Sequence, residues 1–400
     1  MAARKILRRR VIGNIFIPNK NLDSQTEISL QEYSVAQQTF TVFVSSWNVG
    51  GVVPPDNLNL EELLDTENTI TDIYVLGFQE IVPLNAGNIL APENSHISSK
   101  WNSLIKAALN KRSKLVVNEE EEETQKAPQK ADGGGEATTQ RIHPVKMNSN
   151  AMDWRSTRIP ELEFECIISK QMVGLFITVW ARRDLCAYIT HPTASCVGCG
   201  ILGRLGNKGS VSISFRLHET SFCFVCCHLA SGGKEGDERQ RNTNVADILT
   251  RTVFPAPQRN HHHPLPTKIL HHDRIIWLGD LNYRIYLPEA TTQSLVKNKE
   301  WRMLLRHDQL KAELAKGRVF EGWHEEEIEF APTYKYDQNS DDYYGSSHNM
   351  KATRKRSPAW CDRIIWFGKG LKQIQYSRVE SRLSDHRPVR AIFIARAKES

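Results

Sequence analysis

Four apolar runs in the sequence each end at a side chain that can bind a metal ion or take part in acid–base chemistry. The four residues are Asn48 after residues 40–47, Glu80 after 73–79, His228 after 222–227 and Asp280 after 275–279. One such ending usually marks only where a strand meets solvent, but four different catalytic residue types favour strand ends gathered along one rim of a sheet. Few carboxylates, an amide and waters suit Mg²⁺ better than zinc.

Two further groups of polar residues extend this set. Asp280, Asn282 and Arg284 lie two positions apart, so in an extended chain their side chains would face the same way. A base, a hydrogen-bonding amide and a guanidinium that pairs with phosphate would then share one side. Asp385 and His386 form a second group, in which the carboxylate can fix the histidine tautomer and stabilise its charged form, although adjacency alone does not establish contact.

Short runs rich in β-branched and aromatic residues indicate the strands that must position these groups. The predicted strands are residues 39–49, 73–79, 166–169, 173–182, 210–217, 221–228, 274–279, 364–368 and 389–395. Helical periodicity falls between some of them, and residues 301–316 are predicted to form one helix that stops at Gly317. Because some connections are helical and one, at residues 218–220, is a hairpin, the sequence predicts an α/β sandwich with mixed sheets.

The composition is that of a folded protein with a sizeable core. The 400 residues are 40% hydrophobic and 24% charged, with 23 Gly and 17 Pro, which excludes collagen-like repeats and wholesale disorder. The 52 Lys and Arg against 46 Asp and Glu give a net charge of +6, which permits anionic partners without choosing among them. The 8 Cys are too few for a disulfide scaffold, and the longest apolar run is about half of a membrane span, so a cytoplasmic location is predicted.

Three segments stand apart from the core pattern. Residues 1–38 form a basic N-terminal segment that could contact an anionic membrane peripherally, and a solvated tail explains it equally well. Residues 112–150 contain a glutamate run and a glycine run with almost no apolar periodicity, which predicts a disordered insertion. Residues 254–272 are rich in Pro and His and are predicted to form an exposed loop or linker. A single catalytic domain is therefore expected over residues 39–396.

Five blocks of the sequence resemble the inositol polyphosphate 5-phosphatases of the DNase I-like endonuclease/exonuclease/phosphatase superfamily. They are WNV at 47–49, FQE at 78–80, WLGDLNYRI at 277–285, PAWCDR at 358–363 and SDH at 384–386. The third and fourth blocks are specific to the family, whereas the others indicate only the superfamily. The resemblance covers about residues 40 to 396, and the chain is similar to compact type I enzymes of the plant kind. It implies a four-layer sandwich of two mixed β-sheets flanked by helices.

The resemblance implies a role for most of the candidate residues. The metal ligands would be Glu80 and Asn48, and the catalytic residues would be Asp280, His386, Asp385, His228 and Asn282. Asp280 would orient and deprotonate the attacking water, and His386, supported by Asp385, would stabilise the charge that develops at phosphorus. His228 and Asn282 would bind non-bridging oxygens. The expected reaction is Mg²⁺-dependent removal of the 5-phosphate from inositol 1,4,5-trisphosphate, phosphatidylinositol 4,5-bisphosphate or related substrates.

A second basic set is expected to bind the substrate. Its members are Arg284, Tyr334, Lys335, Arg354 and Arg356. In the family, positions corresponding to the last four grip the phosphate next to the one removed. The family pattern there is Lys-x-Arg, and this chain departs from it at Arg354. A solvated basic loop is the alternative interpretation. Arg363 is interpreted as structural, with Asp362 as its partner.

Two other functions fit parts of the sequence. A nuclease of the same superfamily would use the basic charge, but the chain lacks a basic stripe interleaved with aromatic residues, so no nucleic-acid partner is expected. A catalytically silent phosphoinositide-binding module would need a missing base, metal ligand or histidine, and all those positions are filled. The oligomeric state is not predicted.

Two motifs are set aside. Cys223 and Cys226 would point to opposite faces of one strand, which argues against a shared zinc ion with Cys196 and Cys199. Residues 203–210 (GRLGNKGS) lack the spacing of a nucleotide phosphate loop and lead into a strand, so nucleotide binding is not expected. The family resemblance implies that this block only shapes the site.

Overall fold

The computed structural model describes residues 37–66, 68–90, 93, 95–111, 163–255, 264–344 and 356–399. The strands in these ranges are β1 (Gln37–Asn48), β2 (Ile73–Gln79), β3 (Phe164–Met172), β4 (Leu175–Arg182), β5 (Ile189–Gly198), β6 (Gly209–Leu217), β7 (Thr220–His228), β8 (Arg274–Asp280), β9 (Asp362–Phe367), β10 (Leu371–Arg378) and β11 (Val389–Lys398). The helices there are α1 (Glu61–Leu64), α2 (Ala86–Leu90), α3 (His96–Leu109), α4 (Asp237–Arg251), α5 (Glu289–Lys297), α6 (Trp301–Leu305) and α7 (Gln309–Ala315).

The strands form two mixed sheets, as the sequence predicts. One sheet has the order β10-β11-β1-β2-β4-β3 and the other the order β5-β6-β7-β8-β9. Each sheet contains one parallel pair, β1 with β2 and β7 with β8, while the other neighbours are antiparallel. A parallel pair needs a crossover connection. Both crossovers carry a helix, α1 in the first sheet and α4 in the second.

Side chains alternate between the two faces of each sheet and so build three apolar layers. The layer between the sheets includes Val42, Val44, Ile213, Phe224 and Leu278. The layer outside the first sheet includes Phe43, Trp47, Trp101 and Ile105, and the layer outside the second includes Cys223, Val225, Trp277, Val245 and Ile248. Helices α3 and α4 therefore cover the outer faces, and the predicted four-layer DNase I-like sandwich is confirmed.

The two sheets approach each other closely at Gly77 of β2. A Cβ atom at this position would lie 2.7 Å from Leu278 Cδ1 and 2.8 Å from Cys226 Sγ, which is closer than packed carbon and sulfur atoms can come. Only glycine therefore fits here without a shift of the neighbouring side chains. The contact is three residues before Glu80 and two before Asp280, so it fixes how near the two sheet rims lie.

Two edge strands were not predicted from the sequence. β5 contains Pro192 and several exposed residues, and in β10 the apolar residues are interrupted by Lys372, Gln373 and Gln375. Both strands lie at the edge of their sheet, where one side of the ladder is unpaired and proline is tolerated. Edge position thus explains the weak apolar signal.

The single helix predicted over residues 301–316 is wrong. The chain forms α6 and α7 there, because Asp308 adopts an extended conformation and its side chain accepts the backbone N–H of Lys311, capping α7. The predicted exposed loop 254–272 is also wrong in part. Phe254 and Ile269 are buried, and buried His272 contacts Ser214 Oγ through Nε2 at 2.8 Å.

Several predicted features lie outside the described residues. These are residues 1–36 of the N-terminal segment, the insertion 112–150, residues 256–263 of the Pro/His-rich segment and Arg354. Gln37 and Gln38, assigned to the N-terminal segment, belong to β1. The proposed domain boundaries remain predictions. Across the described ranges, no helix is long and apolar enough to cross a membrane.

Candidate active site

The four strand-end residues singled out in the sequence meet at one rim of the sandwich. Asn48 and Asp280 end β1 and β8, and Asn48 Nδ2 donates to Asp280 Oδ2 at 3.0 Å across the two sheets. Nδ2 also lies 3.4 Å from Glu80 Oε1. His228, paired with Asp280 in the β7–β8 register, brings its Nε2 to 3.2 Å from Asp280 Oδ2. The parallel pairing of β1 with β2 and of β7 with β8 accounts for this convergence.

The orientation of Asn48 differs from that of a metal ligand. Its Nδ2 faces the two carboxylates, while its Oδ1 accepts the backbone N–H of Gly50 at 3.0 Å. In this orientation Asn48 holds Glu80 and Asp280 at a fixed separation. A 180° turn of the amide would present Oδ1 to a cation in the cleft, because the two ends of the amide are nearly identical in shape.

Asp280 is buried and surrounded by hydrogen-bond donors. Oδ1 accepts the backbone N–H of Asn282 at 3.0 Å, while Oδ2 faces Asn48 and His228. Burial opposes ionisation, but His228, His386 and Lys208 together hold the pKa of the Asp280 carboxyl well below its usual range. Asp280 is therefore a carboxylate at neutral pH, suited to accept a hydrogen bond from water.

The segment after β8 reaches the cleft by a turn rather than as an extended chain. Asn282 has a φ of +57°, so the predicted side-chain alternation does not apply. Asn282 instead donates from Nδ2 to Leu229 O at 3.2 Å and accepts from the Arg284 guanidinium through Oδ1. Arg284 lies with its guanidinium carbon 4.7 Å from the centre of the Tyr334 ring. Asp280, Asn282 and Arg284 still line one cleft.

The hydrogen-bond partner of His386 is Asp362, while its sequence neighbour Asp385, the predicted support, acts on it only through its charge. Nδ1 of His386 lies 2.9 Å from Asp362 Oδ2, which also accepts the Thr333 hydroxyl at 2.7 Å. Burial alone would lower the pKa of His386, but the charge and hydrogen bond of Asp362, with Asp280 beyond it, raise it to about 9. His386 is thus an imidazolium at neutral pH.

Asp385 instead binds Lys335, one of the predicted substrate-binding residues. Its Oδ2 accepts Lys335 Nζ at 2.5 Å. Asp385 and His386 therefore bind different neighbours, because consecutive side chains of this loop point in different directions. Tyr334 packs against His386 with ring centres 4.4 Å apart, which ties the predicted substrate loop to the histidine.

The cleft has a volume of about 350 Å³ and gathers most of the predicted site residues. It is lined by Asn48, Glu80, His228, Asp280, Asn282, Arg284, Tyr334, Arg356, Asp385 and His386, with Gly50, Leu84, Lys208 and Ser231. Lys335 reaches it through Asp385. A volume of this size suits a small phosphorylated molecule.

Three residues at the site were missed by the sequence reasoning. Asp362 belongs to the PAWCDR block but was assigned to Arg363, and Thr333 was seen only as a neighbour of Tyr334. Lys208 lies in the block predicted merely to shape the site, yet its Nζ contacts His228 Nε2. A signal for Lys208 existed: it directly precedes a strand predicted to pair with the strand that ends at His228.

Arg363 is structural, as expected, but its partners are not the predicted Asp362. Its guanidinium lies 3.0 Å from Asp308 and 2.5 Å from Glu325 in a fully buried network. These bonds link β9 to the start of α7 and to the segment that precedes Tyr334 and Lys335.

Replacing Arg363 with methionine should lower the free energy of unfolding by about 3–5 kcal/mol, because two buried carboxylates lose their only guanidinium partner among the described residues. Urea unfolding followed by circular dichroism measures it. Arg382→Met is the matched control, since Arg382 pairs with Asp341 in solvent and should leave the midpoint near that of the wild type. Equal shifts for both variants would contradict the assignment.

The chain matches the family model described as Endonuclease/Exonuclease/phosphatase family 2 over residues 45–392. It is 50% identical to the Type IV inositol polyphosphate 5-phosphatase 9 of Arabidopsis thaliana over an alignment of 407 residues, which covers 98% of this chain and 90% of that relative. It is 49% identical over 353 residues to the Type I inositol polyphosphate 5-phosphatase 8 of the same organism, covering 88% of this chain and 70% of the relative.

Among solved structures, the chain is similar to the inositol polyphosphate 5-phosphatase domain of SPsynaptojanin in complex with inositol (1,4)-bisphosphate and calcium ion. The TM-score is 0.67 with 27% identity, over 90% of this chain and 85% of that one. The family model, the curated relatives and this structure agree with the blocks that carry the sequence resemblance. The chain therefore belongs to the inositol polyphosphate 5-phosphatases, hydrolytic enzymes of the endonuclease/exonuclease/phosphatase family.

Proposed function

We propose that this 5-phosphatase is Mg²⁺-dependent and removes the 5-phosphate from inositol 1,4,5-trisphosphate, phosphatidylinositol 4,5-bisphosphate or both. The observation that carries the proposal is the buried Asp280 carboxylate, whose Oδ2 lies 3.0 Å from Asn48 Nδ2, 3.2 Å from His228 Nε2 and 3.9 Å from His386 Nε2. Glu80 contacts the same Asn48 amide. The described SPsynaptojanin complex supports it, because inositol (1,4)-bisphosphate is what remains when inositol 1,4,5-trisphosphate loses its 5-phosphate.

Glu80 is the residue that best fits a metal ligand. Its side chain is 29% exposed, and among the described residues its Oε2 has no hydrogen-bond partner. An oxygen donor set of one or two carboxylates is what Mg²⁺ accepts, with waters and substrate phosphate completing the shell. Asn48 would join it through Oδ1 after an amide turn. Bound Mg²⁺ would polarise the scissile phosphate and neutralise developing charge.

A second group of potential ligands is better explained by a proton. Asp280, Asp362 and His386 have ligand atoms within 4.8 Å of one another. Asp362, however, already accepts the Nδ1 proton of His386, and the raised pKa keeps that ring positively charged. A metal cation next to an imidazolium is unfavourable. We therefore interpret Asp362 and His386 as a hydrogen-bonded pair that holds a proton, and not as metal ligands.

Asp280 acts on the attacking water. Its low pKa makes it a poor store for a proton, so its main contribution is to accept a hydrogen bond and aim the water oxygen at phosphorus. Phosphoryl transfer depends chiefly on such positioning and on charge stabilisation. The new bond joins the water oxygen to phosphorus, and the bond from phosphorus to the ring oxygen breaks. One water proton stays with the released phosphate and the other ends on the ring oxygen, which leaves as a hydroxyl.

His386 and Asn282 complete the charge stabilisation. Nε2 of His386 lies 3.9 Å from Asp280 Oδ2 and so faces the same point in the cleft, where its proton can pair with a phosphate oxygen. Asn282 has one amide N–H beyond the bond to Leu229, which suits it to the same task. Both groups act without moving.

The basic set beside His386 selects the substrate. Lys335 is held over the Tyr334 ring, 5.5 Å from its centre, and Arg284 lies on the same ring at 4.7 Å. Arg356 lines the cleft next to them. The family resemblance assigns Tyr334, Lys335 and Arg356 to the phosphate on the ring carbon next to the reacting one. Arg354 keeps the same assignment as a proposal.

Phosphate release from a small substrate panel tests the function. Wild-type protein with Mg²⁺ should release phosphate from inositol 1,4,5-trisphosphate or from phosphatidylinositol 4,5-bisphosphate in vesicles, and chelation with EDTA should abolish release. Inositol 1,4-bisphosphate, which lacks the 5-phosphate, is the control and should stay intact. The vesicle assay also tests the proposed peripheral contact with anionic membranes of the cytoplasm.

Three outcomes would contradict the proposal. Phosphate release that persists in EDTA would show that the reaction does not depend on a metal ion. Nicking of plasmid DNA without inositol phosphate hydrolysis would favour the nuclease alternative. Vesicle binding without phosphate release would favour the silent binding module.

A further inference from the structure

Lys208 is a half-buried lysine whose position is fixed by the sheet. Gly209, which follows it, begins β6 and pairs with His228 at the end of β7. The Lys208 carbonyl accepts the backbone N–H of Cys199 at 2.7 Å, which closes the connection from β5 to β6. A Cβ atom at Gly209 would lie 1.9 Å from Val197 O, so this tight entry requires glycine. The lysine side chain is therefore delivered to the same rim as His228.

The Lys208 ammonium has more donors than the protein uses. Its Nζ contacts His228 Nε2, and within the described ranges this is its only hydrogen-bond partner. An ammonium carries three N–H donors and no lone pair. Two of the three have no protein partner in the described ranges, at a residue that lines the cleft. That arrangement indicates a ligand with oxygen acceptors.

The surroundings identify the charge that this ligand carries. The Lys208 side chain lies near the carboxylates of Asp280 and Glu80, which attract it, and near the Arg284 guanidinium, which repels it. The carboxylates of the cleft already face its positively charged side chains. The remaining N–H donors of Lys208 therefore suit an oxygen of a bound phosphate. Nε2 of His228 has a single hydrogen-bonding position, which Lys208 or Asp280 already occupies, so this atom does not serve that oxygen.

We propose that Lys208 is a catalytic residue that donates a hydrogen bond to a non-bridging oxygen of the scissile phosphate, with His228 holding its ammonium in place. The inference rests on the proposed phosphatase function and assigns chemistry to a block of the sequence that was predicted only to shape the site. It adds a hydrogen-bond donor to the side of the cleft formed by the second sheet.

Lys208→Met tests the proposal, because methionine keeps most of the length of the side chain and removes its N–H donors. With inositol 1,4,5-trisphosphate we expect kcat to fall roughly 10²- to 10³-fold, the usual loss for one preorganised donor. Lys372→Met is the matched control, since Lys372 is exposed on edge strand β10. In Lys208→Ala, added ethylammonium should restore part of the activity, which a packing defect would not allow.

Binding of inorganic phosphate, measured by calorimetry, provides a second readout. It should weaken at least tenfold in Lys208→Met and stay unchanged in Lys372→Met. Wild-type kcat retained in Lys208→Met, or no ethylammonium rescue together with unchanged phosphate binding, would overturn the assignment. If wild type and Lys372→Met both fail to hydrolyse the substrate, the proposed function fails, while the phosphate-binding comparison still decides the role of Lys208.

Discussion

Asp280→Asn should lower kcat for 5-phosphate removal by about 10³-fold, because a neutral amide no longer positions the attacking water as the carboxylate does. Asparagine keeps the size of the side chain but loses the charge that organises Asn48, His228 and the attacking water. KM should change little, because the predicted substrate-binding residues lie elsewhere in the cleft. Initial rates of phosphate release over a range of inositol 1,4,5-trisphosphate concentrations measure both constants.

Asp273→Asn is the matched control for this prediction. Asp273 precedes the same strand at its opposite end, roughly 20 Å away, where it binds Ser221. Its replacement should reduce stability without changing kcat. A kcat of Asp280→Asn within threefold of wild type, in protein with an unchanged circular dichroism spectrum, would remove Asp280 from the mechanism.

Asp362→Asn should move the basic limb of the kcat–pH profile to lower pH. In the wild type the imidazolium of His386 persists below its pKa of about 9 and is lost as the pH rises through that value. An asparagine still accepts the Nδ1–H but brings no charge, so the pKa falls back toward the ordinary value of about 6.5. At pH 8 we expect a loss of about 10-fold in kcat. Rates at fixed Mg²⁺ between pH 6 and 10 test the shift.

Asp385→Asn separates the observed partner of His386 from the one expected by adjacency. Asp385 contacts Lys335. Three carboxylates raise the pKa of His386, and Asp385 raises it less than Asp362 and Asp280 do. This variant should raise KM and shift the basic limb much less than Asp362→Asn. A larger shift in Asp385→Asn would reverse the assignment.

The strand ends could be predicted because their signal is local. An apolar run that stops at Asn48, Glu80, His228 or Asp280 is visible in the sequence, and the parallel pairing in each sheet carries all four to one rim. The mixed-sheet architecture followed from the same runs together with the hairpin after residue 217. Edge strands β5 and β10 escaped because an unpaired edge does not demand apolar side chains.

The pairing of side chains could not be predicted, because it depends on directions that the backbone sets in three dimensions. Asp362 reaches His386 from 24 positions away, while adjacent Asp385 turns to Lys335. Asn282 reaches the cleft through a positive φ that no alternation rule anticipates. Lys208 was missed because its importance comes from the register of Gly209 with His228.

The bonds that complete the cleft join opposite halves of the sandwich. Asn48 and His386 belong to the first sheet and its loops, and their partners Asp280 and Asp362 belong to the second. Neither half alone contains a working set of groups, so turnover reports on whether the halves are seated together. A loosened inter-sheet seam, such as a bulkier residue at Gly77 would create, should therefore silence the enzyme while each sheet remains folded.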